Sequence, residues 1–301
     1  MSIWVEEPIV FECCGESLVG ILHNAGDHSA CVGVLVLVGG PQYRVGSHRQ
    51  FVLMARALAS RGFPVFRFDY RGMGDSSGAM RSFEDVGEDV RSAMDAFQRK
   101  LSGKLDRIVL FGLCDAASAV LMHGAADPRV EGLVLANPWV RSEQGEARSF
   151  VRHYYLQRFL QRSFWRKVLS GEFHIMKSAA DFIRTLVRSR RTTQAKGFVE
   201  RMLEGLSGFR GPVLLLMSGQ DLTAREFDDL CEREPKWRAA LARPNLQVVR
   251  LQDADHTFSS RKDLDFAVRQ IEACLLSPLA KGHLNNAPKT LTFDCDANPA
   301  R

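Results

Sequence analysis

Several common features are missing from this chain of 301 residues, and each absence excludes a class of protein. No apolar run approaches the roughly 20 residues that a membrane-spanning helix needs. The first residues, Met1 to Glu7, lack the basic and apolar segments of a signal peptide, so we expect a cytoplasmic protein. The seven cysteines are an odd number without regular spacing, which argues against a disulfide framework. No CxxC pair is present to suggest zinc.

Motifs for phosphate and nucleic-acid binding are missing as well. The glycine-rich turn at 69–78 is not followed by the Lys-Ser/Thr pair of a P-loop. The net charge of +5 is mild, and no nucleic-acid recognition motif accompanies it. We therefore expect no cofactor, no metal ion and no nucleic-acid partner.

What is present is a regular alternation of short apolar runs with segments of helical periodicity. The hydrophobic share of 46% and the charged share of 25% are typical of a globular protein with a substantial core. Helical periodicity covers 47–61, 83–101, 116–124 and 262–276, and strands are predicted at 9–13, 18–23, 31–38, 64–68, 108–111, 130–136, 212–217 and 246–251. This pattern predicts an α/β fold: a mostly parallel twisted sheet of about eight strands with helices on both faces.

The alternation is interrupted at 140–209, a segment rich in arginine, lysine and aromatic residues. Helical spacing of its apolar residues predicts a helical lid inserted into a core formed by 1–139 and 210–276, and 277–301 is predicted to be a flexible tail. Basic and aromatic side chains over a reaction site would attract an anionic substrate, and the candidates we single out are Arg152, Tyr155 and Arg158. The alternative is a solvated basic face.

The stretch 107–119 contains the strongest chemical signal in the chain. Gly112-Leu113-Cys114-Asp115-Ala116 has the spacing of a nucleophile elbow, with Cys in place of Ser and Ala in place of the last Gly. A sharp turn from strand to helix requires small residues two positions before and after the nucleophile. The start of the following helix would favour a thiolate on Cys114. The alternative is an inert buried cysteine.

Polar residues at two later strand ends complete a possible triad in the order Cys114, Asp221, His256. His256 would take the thiol proton and later protonate the leaving group, and Asp221 would orient the imidazole. Backbone N–H groups of Asp115 and of Gln42, with Tyr43 as the alternative, would form the oxyanion hole. An alternative role for Asp221 is to cap a helix that follows it.

These motifs resemble those of α/β-hydrolases over residues 9–276. Residues 68–76 look like the family's turn after the fourth strand, and 212–221 look like its acid strand. The elbow 112–119 is similar to that of the exosortase A system-associated hydrolases of type 1. This resemblance implies a bacterial exopolysaccharide or protein-sorting context. Dienelactone hydrolases and polyhydroxyalkanoate synthases are similar in placing Cys at this elbow, and they hydrolyse or transfer acyl groups respectively.

Three functions follow from this reading. The first is a cysteine-dependent acyl hydrolase that cleaves a small-molecule ester or thioester, possible donors being coenzyme A or carrier-protein thioesters, through an acyl-enzyme. The second is an acyltransferase that uses the same three residues and passes the acyl group to a sugar or another acceptor. The third is a catalytically silent scaffold. An interfacial contact of 159–169 with a membrane surface is a further alternative.

Overall fold

A computed structural model describes residues 4–24, 26, 31–40, 42–101, 104–141 and 197–276 of the chain. Eight strands form one sheet, as the alternation of apolar runs predicts. The strands are β1 Val5–Cys13, β2 Glu16–Asn24, β3 Val32–Leu37, β4 Val65–Phe68, β5 Arg107–Leu113, β6 Val130–Ala136, β7 Val213–Ser218 and β8 Leu246–Leu251.

The order of strands across the sheet is β1-β2-β4-β3-β5-β6-β7-β8. The opening hairpin β1–β2 is antiparallel, and β2 pairs antiparallel with β4. From β4 onward every neighbouring pair is parallel. The carboxyl ends of β3, β5, β6, β7 and β8 therefore meet at one edge, where ligands bind in such sheets.

Helices cover both faces because the central strands are apolar on both sides. Along β3, Val34 and Val36 join one buried cluster while Leu35 and Leu37 join the other. The helices are α1 Gln50–Ala59, α2 Gly87–Lys100, α3 Asp115–Ala119, α4 Phe198–Gly208, α5 Leu222–Arg233, α6 Pro235–Leu241 and α7 Arg261–Leu276. Buried residues of α1 and α7 pack in the first cluster, and those of α2 to α6 pack in the second. The predicted α/β-hydrolase architecture is confirmed.

Two predicted helices are divided in the structure. The segment predicted at 47–61 begins with a 3₁₀ turn, Ser47–Arg49, in which His48 and Arg49 have positive φ angles before α1 starts. The segment predicted at 116–124 consists of α3 followed by a π-helical turn, Val120–Gly124. Helix α6 follows α5 directly and was not predicted from the sequence.

The predicted insertion at 140–209 is only partly described, since 142–196 lie outside the described residues, as does the tail 277–301. Within it, α4 packs on the core through the buried side chains of Met202 and Leu206. A Cβ on Gly205 would lie 1.9 Å from the carbonyl oxygen of Leu121, so α4 contacts the π-helical turn closely. None of the described helices has the length and apolar character required to cross a membrane.

Candidate active site

The chain turns sharply at Cys114, which lies between the end of β5 and the start of α3. Its backbone has φ 63° and ψ −127°, and a positive φ is rare for a residue with a side chain. Its N–H donates to the carbonyl of Ala136 at 2.9 Å, and its carbonyl accepts from the N–H groups of Ala117 at 3.0 Å and Trp139 at 3.2 Å. Bonds to α3 and to β6 thus hold this strained turn in place.

The residues two positions before and after Cys114 are small because strand and helix approach each other closely. A Cβ on Gly112 would lie 2.5 Å from the carbonyl oxygen of Ala116, closer than any real contact. Ala116 is itself fully buried. The composition of the turn therefore has the steric origin that the sequence analysis assigned to it.

Asp221 and His256 come together at the same edge of the sheet. Asp221 follows β7 and His256 follows β8, which pairs with β7. The His256 ring lies with Nδ1 at 2.8 Å from Oδ2 of Asp221. Asp221 is buried, whereas a third of the His256 side chain is exposed. A buried carboxylate that holds one ring nitrogen leaves the other, Nε2, available for proton transfer.

Asp221 also caps α5, so the helix cap and the contact with His256 occur together. Its Oδ1 accepts from the N–H of Thr223 at 3.1 Å, and its Oδ2 accepts from the N–H of Ala224 at 3.2 Å. Both bonds satisfy amide groups at the helix start that would otherwise lack partners. The helix start in turn fixes the carboxylate that faces His256.

Asn137, which was not singled out from the sequence, connects the segments that carry Asp221 and His256. It is fully buried after β6, and its Nδ2 donates to Oγ of Ser218 at 2.9 Å and to the carbonyl of His256 at 3.1 Å. Its Oδ1 accepts from the N–H of Ser218 at 2.8 Å. One amide side chain therefore positions the end of β7 and the backbone of His256. Its contacts are distant in sequence, and the only local signal is its place directly after a buried strand.

Cys114 is a protonated thiol in this arrangement. Burial raises the pKa of the Cys114 thiol well above its usual range, and the carboxylates of Asp115 and Asp221 raise it further. The Asp115 N–H and the Arg141 guanidinium oppose these effects without overcoming them. Within the described chain, no hydrogen bond joins Cys114 Sγ to His256. The helix start does favour the thiolate through the Asp115 N–H, as expected, but burial and the two carboxylates outweigh it and keep the pKa of Cys114 raised.

The side chain of Asp115 turns back onto the loop after β3. Both of its carboxylate oxygens lie 2.8 Å from the N–H of Gly40. A Cβ on Gly39 would lie 2.1 Å from Oδ1 of Asp115, so only glycine allows this contact. Burial raises the pKa of Asp115 to about 6, although backbone N–H groups of Gly40, Ala116 and Asp115 itself, with His256, act to lower it.

The predicted oxyanion-hole donors differ in their surroundings. The N–H of Asp115 lies at the first position of α3, directly after Cys114. Gln42 has a buried Oε1 without a hydrogen-bond partner among the described residues, and Tyr43 is about half exposed. The roles of Gln42 and Tyr43 stay predictions. The sequence analysis did not single out Gly40, whose N–H donates to the Asp115 carboxylate.

The lid candidates Arg152, Tyr155 and Arg158 lie outside the described residues, and their roles stay predictions. Among the described residues, the cation closest in sequence to these candidates is Arg141. Its Nε donates to both carboxylate oxygens of Glu226, at 2.7 and 2.6 Å. Its guanidinium lies 5.4 Å from the centre of the Trp139 ring. In the described ranges, no group of three His, Cys, Asp or Glu side chains is arranged to hold a metal ion.

The strand order, the elbow at the end of β5 and the acid–base pair at the ends of β7 and β8 define an α/β-hydrolase. The model of one family within this class, the serine aminopeptidase S33 family, matches residues 32–227. The chain belongs to that family. Among curated protein sequences, none matches this chain.

Solved structures of esterases share this fold. The esterase Pf2001 of Pyrococcus furiosus is 16% identical with a TM-score of 0.63, over 90% of this chain and 92% of that one. Est1E of Butyrivibrio proteoclasticus, with ferulic acid bound, is 12% identical with a TM-score of 0.58, over 89% and 98%. The esterase domain of a Rhodothermus marinus protein is 19% identical with a TM-score of 0.55, over 90% and 98%. At these identities the likeness concerns the fold.

Proposed function

We propose that this protein is an acyl hydrolase that cleaves an ester or thioester through an acyl-enzyme on Cys114. The observation that supports this most directly is the placement of a cysteine in a strained elbow at the sheet edge where Asp221 holds His256 at 2.8 Å. Strained backbone at the carboxyl end of a central strand is typical of a nucleophile in this fold. An inert core cysteine needs no such conformation.

In the first half of the reaction, the thiol of Cys114 attacks the carbonyl carbon of the substrate. His256 Nε2 takes the thiol proton as the carbon–sulfur bond forms, since the resting thiol is protonated. The bond to the leaving oxygen or sulfur then breaks, and the imidazolium returns its proton to that atom. Asp221 stabilises the imidazolium between these two transfers.

In the second half, water replaces the leaving group. His256 takes a proton from the water as its oxygen attacks the acyl-thioester carbon, and the carbon–sulfur bond breaks. The proton returns to Cys114, and the carboxylic acid leaves. An alcohol that takes the place of water would yield a transferred acyl group by the same steps.

Three observations support an ester or thioester as the substrate class. The chain belongs to a hydrolase family, and several solved structures with this fold are named esterases. A thiol nucleophile also suits acyl groups that already carry a good leaving group, including coenzyme A or carrier-linked thioesters. The basic composition of 140–209 would favour such anionic donors.

The sequence of the elbow supports a narrower biological setting. Gly112 to Ala119 reads Gly-Leu-Cys-Asp-Ala-Ala-Ser-Ala, which is similar to the elbow of the exosortase A system-associated hydrolases. On this ground we propose a role in a bacterial exopolysaccharide or protein-sorting system.

Burst kinetics with p-nitrophenyl acetate and with an acyl thioester test the proposal. Wild type should release one equivalent of leaving group rapidly before slower turnover when hydrolysis of the acyl-enzyme is the slower step. Cys114→Ala should lose the burst entirely. Cys31→Ala is the matched control, since Cys31 is exposed and lies before β3, at the opposite edge of the sheet.

The reaction products distinguish hydrolysis from acyl transfer. A sugar alcohol that accelerates turnover and is recovered acylated would identify a transferase with the same nucleophile. An undiminished burst in Cys114→Ala would contradict the assignment of Cys114. No release of leaving group by wild type from any ester or thioester would favour a scaffold without catalytic activity.

A further inference from the structure

A backbone N–H group next to the elbow, that of Gly40, is already hydrogen-bonded to a side chain of the protein itself. In this fold the oxyanion hole combines the N–H after the nucleophile with an N–H from the loop after β3. The N–H of Asp115 follows Cys114, and the described loop N–H that contacts the elbow is that of Gly40. We therefore take Gly40, in place of the predicted Gln42 or Tyr43, as the second donor. The Gly40 N–H donates to the Asp115 carboxylate, with both carboxylate oxygens 2.8 Å away.

A carboxylate is a close chemical mimic of the oxyanion that this hole should stabilise. Both are negatively charged oxygens that accept hydrogen bonds from backbone N–H groups. While the carboxylate accepts from Gly40, that N–H is not available to a substrate carbonyl. A negative charge at the same place would also repel the developing oxyanion.

The contact is accommodated by the sequence around it. Gly39 lacks the Cβ that would overlap Oδ1 of Asp115, and the loop after β3 can therefore lie against the elbow. Asp115 is also the first residue of α3, so its backbone and its side chain belong to the same turn as Cys114.

The groups that act electrostatically on Asp115 and Cys114 come from several elements. Tyr70 after β4 has a buried hydroxyl without a hydrogen-bond partner in the described part of the chain, and its pKa is raised by burial and by Asp115. His256 favours the ionised form of Asp115. Asp221 raises and Arg141 lowers the pKa of Cys114.

We propose that the Asp115 side chain closes the oxyanion hole of the resting enzyme, and that its carboxylate must release the Gly40 N–H before Cys114 can be acylated. This proposal rests on the proposed function, since it requires acyl chemistry at Cys114. Protonation removes the charge that competes for the hole, and the neutral carboxyl can then donate a hydrogen bond. Because the pKa of Asp115 is about 6, the neutral form is the minority at neutral pH.

The acylation burst of the full chain, measured from about pH 5 to 9, tests this role with wild type, Asp115→Asn and Asp115→Ala. Asp115→Asn keeps the shape of the side chain and removes its charge. We expect its acylation rate to equal that of wild type within about twofold near pH 5 and to exceed it at least about tenfold near pH 8. Asp106→Asn, an exposed aspartate before β5, is the matched control.

Alkylation by iodoacetamide separates the oxyanion hole from the thiol pKa. It requires the thiolate but forms no oxyanion, so a variant that only lowers the pKa of Cys114 would gain equally in both reactions. Rates of Cys114 alone are read by peptide mapping, because Cys14 and Cys31 are exposed and also react. We expect the gain in acylation at pH 8 to exceed the gain in alkylation.

Each remaining outcome decides the matter. The proposal would be contradicted if the acylation rate of Asp115→Asn relative to wild type does not rise with pH. It would also be contradicted if the substitution raises the acylation rate and the alkylation rate equally. If Asp115→Asn does not fold, Asp115→Ala replaces it, since alanine has no oxygen to accept from Gly40. Its acylation rate relative to wild type must then rise with pH in the same way. If Cys114→Ala still acylates, the proposed function itself has failed, whereas a flat ratio together with a silent Cys114→Ala refutes only the role of Asp115.

Discussion

The two halves of the candidate site are built in opposite ways. The acid–base half, Asp221 with His256 and Asn137, consists of hydrogen bonds between groups that satisfy each other. The half around Cys114, the proposed nucleophile, has a positive φ and places the half-buried carboxyl of Asp115 beside a half-buried thiol. One half is stabilised by its contacts, and the other is held in a costly state by the surrounding fold.

This difference has a physical reason. Orientation is what the acid and base need, and dense hydrogen bonding supplies it without strain. The nucleophile must project from the sheet edge next to backbone donors, and only a strained turn provides that position. Substitutions of the buried members of the first half, Asp221 and Asn137, should therefore cost both stability and activity, while some in the second half should improve stability.

The largest expected effect comes from removing the base and the acid separately. His256→Ala should lower the acylation rate by about 10²–10⁴ with little change in stability, since the side chain is partly exposed. Asp221→Ala should also lower the rate and should cost about 1–2 kcal/mol of unfolding free energy, because it removes the cap of α5. Urea unfolding measures the second effect, with exposed Lys262→Ala as the control. Equal stability losses in both variants would contradict this account.

Asn137→Ala tests whether one buried amide holds the acid–base half together. It leaves the N–H of Ser218 unsatisfied and frees the carbonyl of His256, so we expect a loss of about 1–3 kcal/mol in stability. The displaced imidazole should lower kcat by about tenfold to a hundredfold. Steady-state kinetics should show this fall with KM nearly constant. An unchanged kcat would mean that the loop of His256 is positioned by other contacts.

Asp115→Asn should stabilise the protein, and the gain should depend on pH. The pKa of Asp115 is about 6 in the folded state and 3.8 in its ordinary state, so the folded protein binds more protons between these values. Wild-type stability is therefore lost as pH rises through this window, and the variant should be more stable by up to about 3 kcal/mol near pH 8. Below about pH 4 the two proteins should be equally stable.

Chemical unfolding across pH measures this difference. Buried His23, with its pKa lowered to about 4 by burial and by Arg67, contributes the opposite slope, because its stabilisation is lost as pH falls below its ordinary value. His23 is present in both proteins, so the difference between them isolates Asp115. A variant that is less stable than wild type near pH 8 would show that the bond to Gly40 outweighs the burial of the charge.

The smallest effect is expected from Ala116→Gly, which restores the residue usual at the end of this elbow. The space is sufficient for either residue, so acylation should change little, and the added chain flexibility should cost about 0.5–1 kcal/mol. Thermal unfolding together with the burst assay measures both quantities. A marked gain in acylation would show that the methyl group of Ala116 restrains the nucleophile.

The fold was accessible from the sequence because its signals are local. Apolar runs such as 108–111 and 130–136 have the length and composition of buried parallel strands, and the turns between them mark the strand ends. The steric need for Gly112 was also predictable, since the elbow imposes it on any sequence. Helix α6 was missed because Pro235 starts a short helix directly after α5, without a separate apolar period.

The pKa shifts and long-range contacts of the site could not be predicted from the sequence in the same way. The thiolate expected at Cys114 followed from the helix start alone, whereas the actual balance depends on burial and on two carboxylates, one of them far away in the sequence. The contact between Gly40 and Asp115 spans 75 residues, and Asn137 reaches Ser218 and His256 across 81 and 119 residues. Such contacts exist only once the sheet has assembled.

The most direct test of the central claim is to locate the acyl group after a brief reaction with p-nitrophenyl acetate. The reaction of wild type is quenched in acid, and the peptides are mapped by mass spectrometry. We expect one acetyl group on the peptide that contains Cys114 and none on those with the exposed Cys14 and Cys31. Acetyl groups on the exposed Cys14 and Cys31, with Cys114 unmodified, would contradict the assignment of Cys114 as the nucleophile.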